Sequence, residues 1–133
     1  MNFSHEKLKV YQRSLGFIEY VNQLISSNST KLNVFDQLDR AATSIPLNIA
    51  EGTGKYTSKD KCRYYDIARG STLECAACLD VLLKREKITK EISEEGKSTL
   101  FEIVSMLTGL IRSTSDRVYE SELDYNVQNE EGE

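Results

Sequence analysis

The chain has 133 residues, 39% of them apolar, which suits one domain built round one modest core. With 7 glycines, 1 proline, 3 cysteines and no tryptophan, it falls outside the collagen-like, low-complexity and disulfide-scaffold classes. The net charge of −4 is unevenly spread: residues 120–133 hold six acids (Glu120, Glu122, Asp124, Glu130, Glu131, Glu133) and no base, and removing those six from 21 leaves 15 acids against 17 bases, a body near +2.

One-signed charge with few apolar residues predicts that residues 120–133 form a disordered, solvated tail behind a folded unit over residues 1–119. Shielding a basic surface from nucleic acid is a competing role for it. No apolar run approaches the roughly 18 to 20 residues that cross a bilayer, and residues 1–5 do not lead into a signal-peptide core. A cytoplasmic protein that does not engage a membrane is expected.

Four amphipathic segments follow in chain order. The first, over residues 5–27, sets Leu8, Tyr11, Leu15, Ile18 and Ile25 on one helical stripe with Val21 and Leu24 beside it, and the polar run at residues 26–30 should end it. The second, over residues 34–51, has Asn33 as candidate N-cap and Val34, Leu38, Ala41, Ala42, Ile45 and Ile49 on one face. Pro46 lacks the amide that would reach the Ala42 carbonyl, so a kink is expected there, with Gly52 and Gly54 releasing the helix.

Thr57, three residues before Asp60, marks the start of a third helix over residues 58–85, whose seam reads Lys61, Tyr65, Ala68, Thr72, Cys75, Leu79, Leu82. Gly70 and its small neighbours predict close approach of another helix. The fourth helix should open after Thr89 and run from about Lys90 to Tyr119, carrying Ile92, Leu100, Ile103, Leu107, Leu110, Ile111 and Val118, with Gly96 as a weak point. Short loops force sequential neighbours to alternate in direction, so the expected fold is all-α, an antiparallel up-down-up-down four-helix bundle with a Pro-kinked second helix.

Chemistry-bearing constellations are sparse. Cys75 and Cys78 have C-x-x-C spacing, but with one histidine and no second cysteine pair they read as buried, reduced thiols rather than a metal site. A di-iron centre needs two Glu-x-x-His motifs, which one histidine cannot supply. Glu51 and Glu74 could be imagined as an acid/base pair, yet no nucleophile, metal set or phosphate loop accompanies them; neither catalysis nor a cofactor is expected.

The cations carry more weight: Arg40 on the second helix and Lys55, Lys59, Lys61, Arg63 and Arg69 around the turn into the third, with Tyr56, Tyr64 and Tyr65 as stacking surfaces. Cations mixed with aromatics suit single-stranded or looped RNA. The plainer alternative is a solvated face laced with intrahelical ion pairs, since a body near +2 is far from strongly basic.

Three segments together carry a resemblance: Leu8-Lys9-Val10-Tyr11-Gln12; the stretch from Gln37 through Ser44-Ile45-Pro46-Leu47-Asn48-Ile49-Ala50-Glu51-Gly52; and Ile67-Ala68-Arg69-Gly70-Ser71 with Glu74. Over residues 3–113 the chain resembles the bacterial four-helix-bundle proteins encoded in intervening sequences of 23S rRNA genes, and the related accessory variability determinants of diversity-generating retroelements. The resemblance implies a kinked second helix, a homopentameric ring and no known catalysis. The retroelement relatives bind nucleic acid and a reverse transcriptase through a markedly basic surface. This chain departs from them in its acidic total and in Asp39, where a second Arg often sits beside Arg40. Arg40, Arg63 and Glu74 match family positions and could instead form ion pairs between helices or subunits. The expected protein is therefore a non-enzymatic homo-oligomer, a scaffold or RNA-associated accessory.

Overall fold

A computed structural model describes the backbone over residues 2–131 and side chains as far as residue 115. The chain forms one 3₁₀ turn, η1 (Ser4–Lys7), and four α-helices: α1 (Lys9–Ser26), α2 (Asn33–Thr53), α3 (Ser58–Lys84) and α4 (Lys90–Glu131). No strand occurs among the described residues, so the fold is all-α. Close backbone approach joins α1 to α2, α2 to α3, α3 to α4 and α4 back to α1, with none between α1 and α3 or between α2 and α4 among the described residues. The helices thus surround one core, which contains Phe17, Leu38, Ile45, Ile49, Leu79, Leu82, Leu100, Ile103 and Leu107. No buried side-chain nitrogen or oxygen lacks a partner among the described residues.

The first helix departs from expectation in start and phase. Leu8 is extended (ψ 125°), which separates η1 from α1 and delays the helix to Lys9. The face it buries is Val10, Ser14, Phe17, Val21 and Leu24, while Leu15 and Ile25 stay exposed. The stripe read through Leu8, Leu15 and Ile25 is therefore rotated from the true one. Ser14 had masked that face, and it lies in the core because its hydroxyl donates to the Tyr11 carbonyl at 2.7 Å. At the other end the polar run stops the helix as expected: the Asn28 amide and the Ser27 hydroxyl both donate to the Leu24 carbonyl.

α2 buries Leu38, Ala41, Ala42, Ile45 and Ile49 as predicted, adding Phe35 and Pro46, whereas Val34 is half-buried. Leu32, not Asn33, is the N-cap, and it makes no side-chain cap bond. Pro46 lies inside a continuous helical span. Gly52 does not release the helix. It is buried inside it, and no glycine among the described residues has positive φ. A Cβ on Gly52 would lie 2.9 Å from the Tyr64 Cβ and 3.1 Å from the Lys61 carbonyl oxygen, so α3 begins too close for any side chain there.

α3 starts as the sequence predicts, with the Thr57 hydroxyl accepting from the Asp60 amide at 3.1 Å. Its seam residues Tyr65, Ala68, Thr72, Cys75, Leu79 and Leu82 are buried, together with Cys78. It ends in a Schellman turn: the Lys87 amide donates to the Leu82 carbonyl and the Glu86 amide to the Leu83 carbonyl, with Glu86 at φ 60°. Gly70 contradicts its expected role, because it is exposed and a Cβ there would meet nothing within 4 Å. Gly96 is likewise no weak point. A Cβ there would meet the Tyr20 hydroxyl at 2.6 Å and Leu79 Cδ1 at 2.7 Å, so the missing side chain is what lets α1 and α3 close on α4.

α4 opens after Thr89, whose hydroxyl accepts from the Ile92 amide at 3.2 Å, and buries Leu100, Ile103 and Leu107. Its backbone continues past the expected end near Tyr119. The expectations for Val118 and for a disordered, solvated tail over residues 120–133 are untouched by this, since the side chains there fall outside the described residues.

Candidate functional site

The six cations do not form one patch. Lys61 is drawn back towards α2, its Nζ donating to the Thr53 carbonyl at 2.7 Å, where it satisfies an acceptor near the helix end. Arg69 reaches across to α4, its Nε donating to the Thr108 hydroxyl at 3.0 Å. Both are spent on holding helices together. Arg40 lies on the outer side of α2, beside a shallow hollow shared with Gln37, Ser44, Ser71 and Glu74.

The remaining three gather at the corner where α2 turns into α3. Lys55 Nζ lies 5.0 Å from the centre of the Tyr64 ring and Arg63 Cζ 5.6 Å from it, so one ring anchors two cations. Lys59 is exposed one turn before Arg63. None of the six makes an ion pair among the described residues, so the solvated face lacks the intrahelical pairing expected of it.

The three tyrosines separate just as sharply. Tyr65 is buried, with its hydroxyl 2.9 Å from the Thr53 hydroxyl, and burial pushes its pKa up from the ordinary tyrosine value. Tyr64 is half-buried under its two cations, and Tyr56 is fully exposed on the turn. The sequence offers Tyr65 both as a seam residue and as a stacking surface, and the structure selects the seam: Tyr65 lies on the buried α3 stripe, whereas Tyr56 precedes the helix and belongs to no stripe.

Glu74 accepts from the Gln37 amide at 3.3 Å, Glu51 is exposed, and neither ion-pairs among the described residues; nor does Arg40 or Arg63, which removes the within-chain ion pairs considered for these positions. Asn48 donates to the Ser44 carbonyl at 2.8 Å and to its hydroxyl at 2.9 Å, and Ser44 meets Ser71 at 2.9 Å. This polar chain ties α2 to α3 and went unread in the sequence. Cys75 and Cys78 are buried, and loss of solvation pushes both thiols up, Cys75 further by Cys78 and both by the Glu74 carboxylate. No group of three or more potential metal ligands gathers among the described residues.

The polar motif shared by α2 and α3 lies inside a stretch, residues 6–109, that matches the family model described as 23S rRNA-intervening sequence protein. The chain belongs to this family. No curated protein matches it. Among solved structures it is similar to a protein with unknown function from the S23 ribosomal protein family of Bacteroides thetaiotaomicron, at 28% identity and a TM-score of 0.72. That match covers 77% of this chain and 97% of the other. In this intervening-sequence protein the motif is mostly architecture: Pro46 and Gly52 are buried in α2, and Asn48 bonds within it. No helix among the described residues is long and apolar enough to cross a membrane.

Proposed function

We propose that this intervening-sequence protein is a non-enzymatic, cytoplasmic scaffold that associates with copies of itself and with RNA. Its bundle is antiparallel and up-down-up-down, and α2 bends at Pro46. The order of cross-helix contacts supports the alternation: from Thr53 back through Ser44 to Gln37, the α2 partners meet Lys61, Ser71 and Glu74 in turn on α3. Along α3 and α4, Cys62 meets Ser115, Arg69 meets Thr108, and Asp80 meets Lys97. The missing amide of Pro46, facing the Ala42 carbonyl, supports the bend.

Self-association is carried by the outer side of α3, where Ile67 and Leu73, either side of the open Gly70, and Val81, about three turns further on, remain 45%, 48% and 42% exposed. A helix whose inner seam is already filled has no reason within the chain for a second apolar stripe. Five subunits is the number implied by the family resemblance. RNA association is supported by Lys55, Lys59 and Arg63, three cations without carboxylate partners among the described residues.

Light scattering of the full chain, combined with RNA retention measured across a salt series, tests the reading. A multiple of the chain mass and retention that falls steeply with salt are expected. A monomer that retains no RNA at low salt overturns it.

A further inference from the structure

We infer that the α2–α3 corner is a binding site for single-stranded nucleic acid in which an unpaired base stacks on Tyr56; this rests on the RNA association proposed above and narrows it to one place and one form of ligand. The turn that joins Thr53 to Ser58 holds Tyr56 outside both helices, with its side chain fully in solvent. A tyrosine ring is a large apolar surface that folded chains ordinarily pack, and among the described residues none covers it. Its neighbours are those that a nucleotide would need.

Lys55 directly precedes it, and the Tyr64 ring holds Lys55 and Arg63 on the same corner. Lys59 follows within the first turn of α3. An exposed aromatic face flanked by three cations offers a stacking platform for a base and point charges for the phosphates on either side of it. A duplex keeps its bases paired and presents no free face to Tyr56. The other three cations of the wider set are not part of this site: Lys61 and Arg69 bond across helices, and Arg40 lies further along α2.

The test is fluorescence anisotropy with the full chain and three labelled probes of equal length: a mixed-sequence single-stranded RNA, the matching single-stranded DNA, and duplex RNA. Tyr56→Ala, Tyr56→Phe and the triple variant Lys55→Ala/Lys59→Ala/Arg63→Ala are compared with the unaltered protein. Because the Tyr56 ring is fully exposed, Tyr56→Ala should leave the helical circular dichroism and thermal midpoint unchanged. It is expected to weaken single-strand binding about tenfold, whereas Tyr56→Phe keeps the ring and the affinity. The triple variant should flatten the salt dependence.

Equal losses on RNA and DNA mark a site indifferent to the sugar, and a loss on RNA alone marks one that reads the 2′-hydroxyl; both support the inference. Single-strand binding that Tyr56→Ala leaves untouched, or a preference for the duplex, overturns the corner site while leaving RNA association standing. Absence of binding to every probe at low salt overturns both.

Discussion

Gly52 and Gly70 sit in the same motif-bearing part of the chain and meet opposite surroundings. At Gly52, α2 and the first turn of α3 come so close that a single Cβ would strike the Tyr64 Cβ and the Lys61 backbone, neither of which can swing aside. At Gly70, on the outer side of α3, a Cβ would enter open space. An exposed glycine in mid-helix costs about 1 kcal/mol against alanine, and no contact within the chain offsets that cost. The first glycine is accounted for inside the subunit, while nothing within the subunit among the described residues accounts for the second; the proposed self-association would. The exposed Ile67 and Leu73 on either side of it support the same proposal.

The sharpest way to break this contrast is Gly52→Ala. Overpacking against backbone should cost about 2 kcal/mol, read as a lower midpoint in urea unfolding with unchanged slope. Tyr20→Phe comes next and probes the tight α1–α4 contact at Gly96: it removes a hydroxyl that donates to the Ile92 carbonyl at 2.6 Å, and a loss of about 1 kcal/mol is expected by the same measurement. Gly70→Ala has the smallest effect and the opposite sign. It should raise the stability of the single subunit by about 0.8 kcal/mol from helix propensity alone, while sedimentation finds weaker self-association. If Gly70→Ala instead destabilises the isolated subunit, the contrast between the two glycines fails.

A pH titration examines the inner side alone. Burial, and secondarily the charge of Glu95, push the Tyr20 hydroxyl up to about 12 from 10.0. In the unfolded chain that hydroxyl ionises near 10, so the unfolded state loses its proton first. The stabilising contribution is therefore whole below pH 10 and lost as pH climbs towards 12. Ultraviolet difference spectra should find a late tyrosinate phase that Tyr20→Phe reduces, leaving the part that belongs to the buried Tyr65.

The number and order of helices were legible because each apolar period persists over several turns and Thr57 and Thr89 mark two starts. What resisted reading was phase and proximity. The buried face of α1 contains Ser14, so a count of apolar residues favours the neighbouring stripe through Leu15 and Ile25. Glycines were ambiguous because a sequence does not tell a residue that admits a neighbour from one that merely faces water: Gly96 looked like a defect and proved a contact, and Gly70 the reverse. The cations were visible as a cluster along the chain. Their division into helix-bonding Lys61 and Arg69 and corner-forming Lys55, Lys59 and Arg63 depends on reach across space, which linear spacing does not encode.

The three thiols equip the bundle with its own clock. Cys62 is partly accessible, whereas Cys75 is sealed between helices, so an alkylating reagent should label the first at once and the second only when α3 pulls away from its neighbours. The lag between the two labelling events measures how often the subunit breathes open, without any introduced residue.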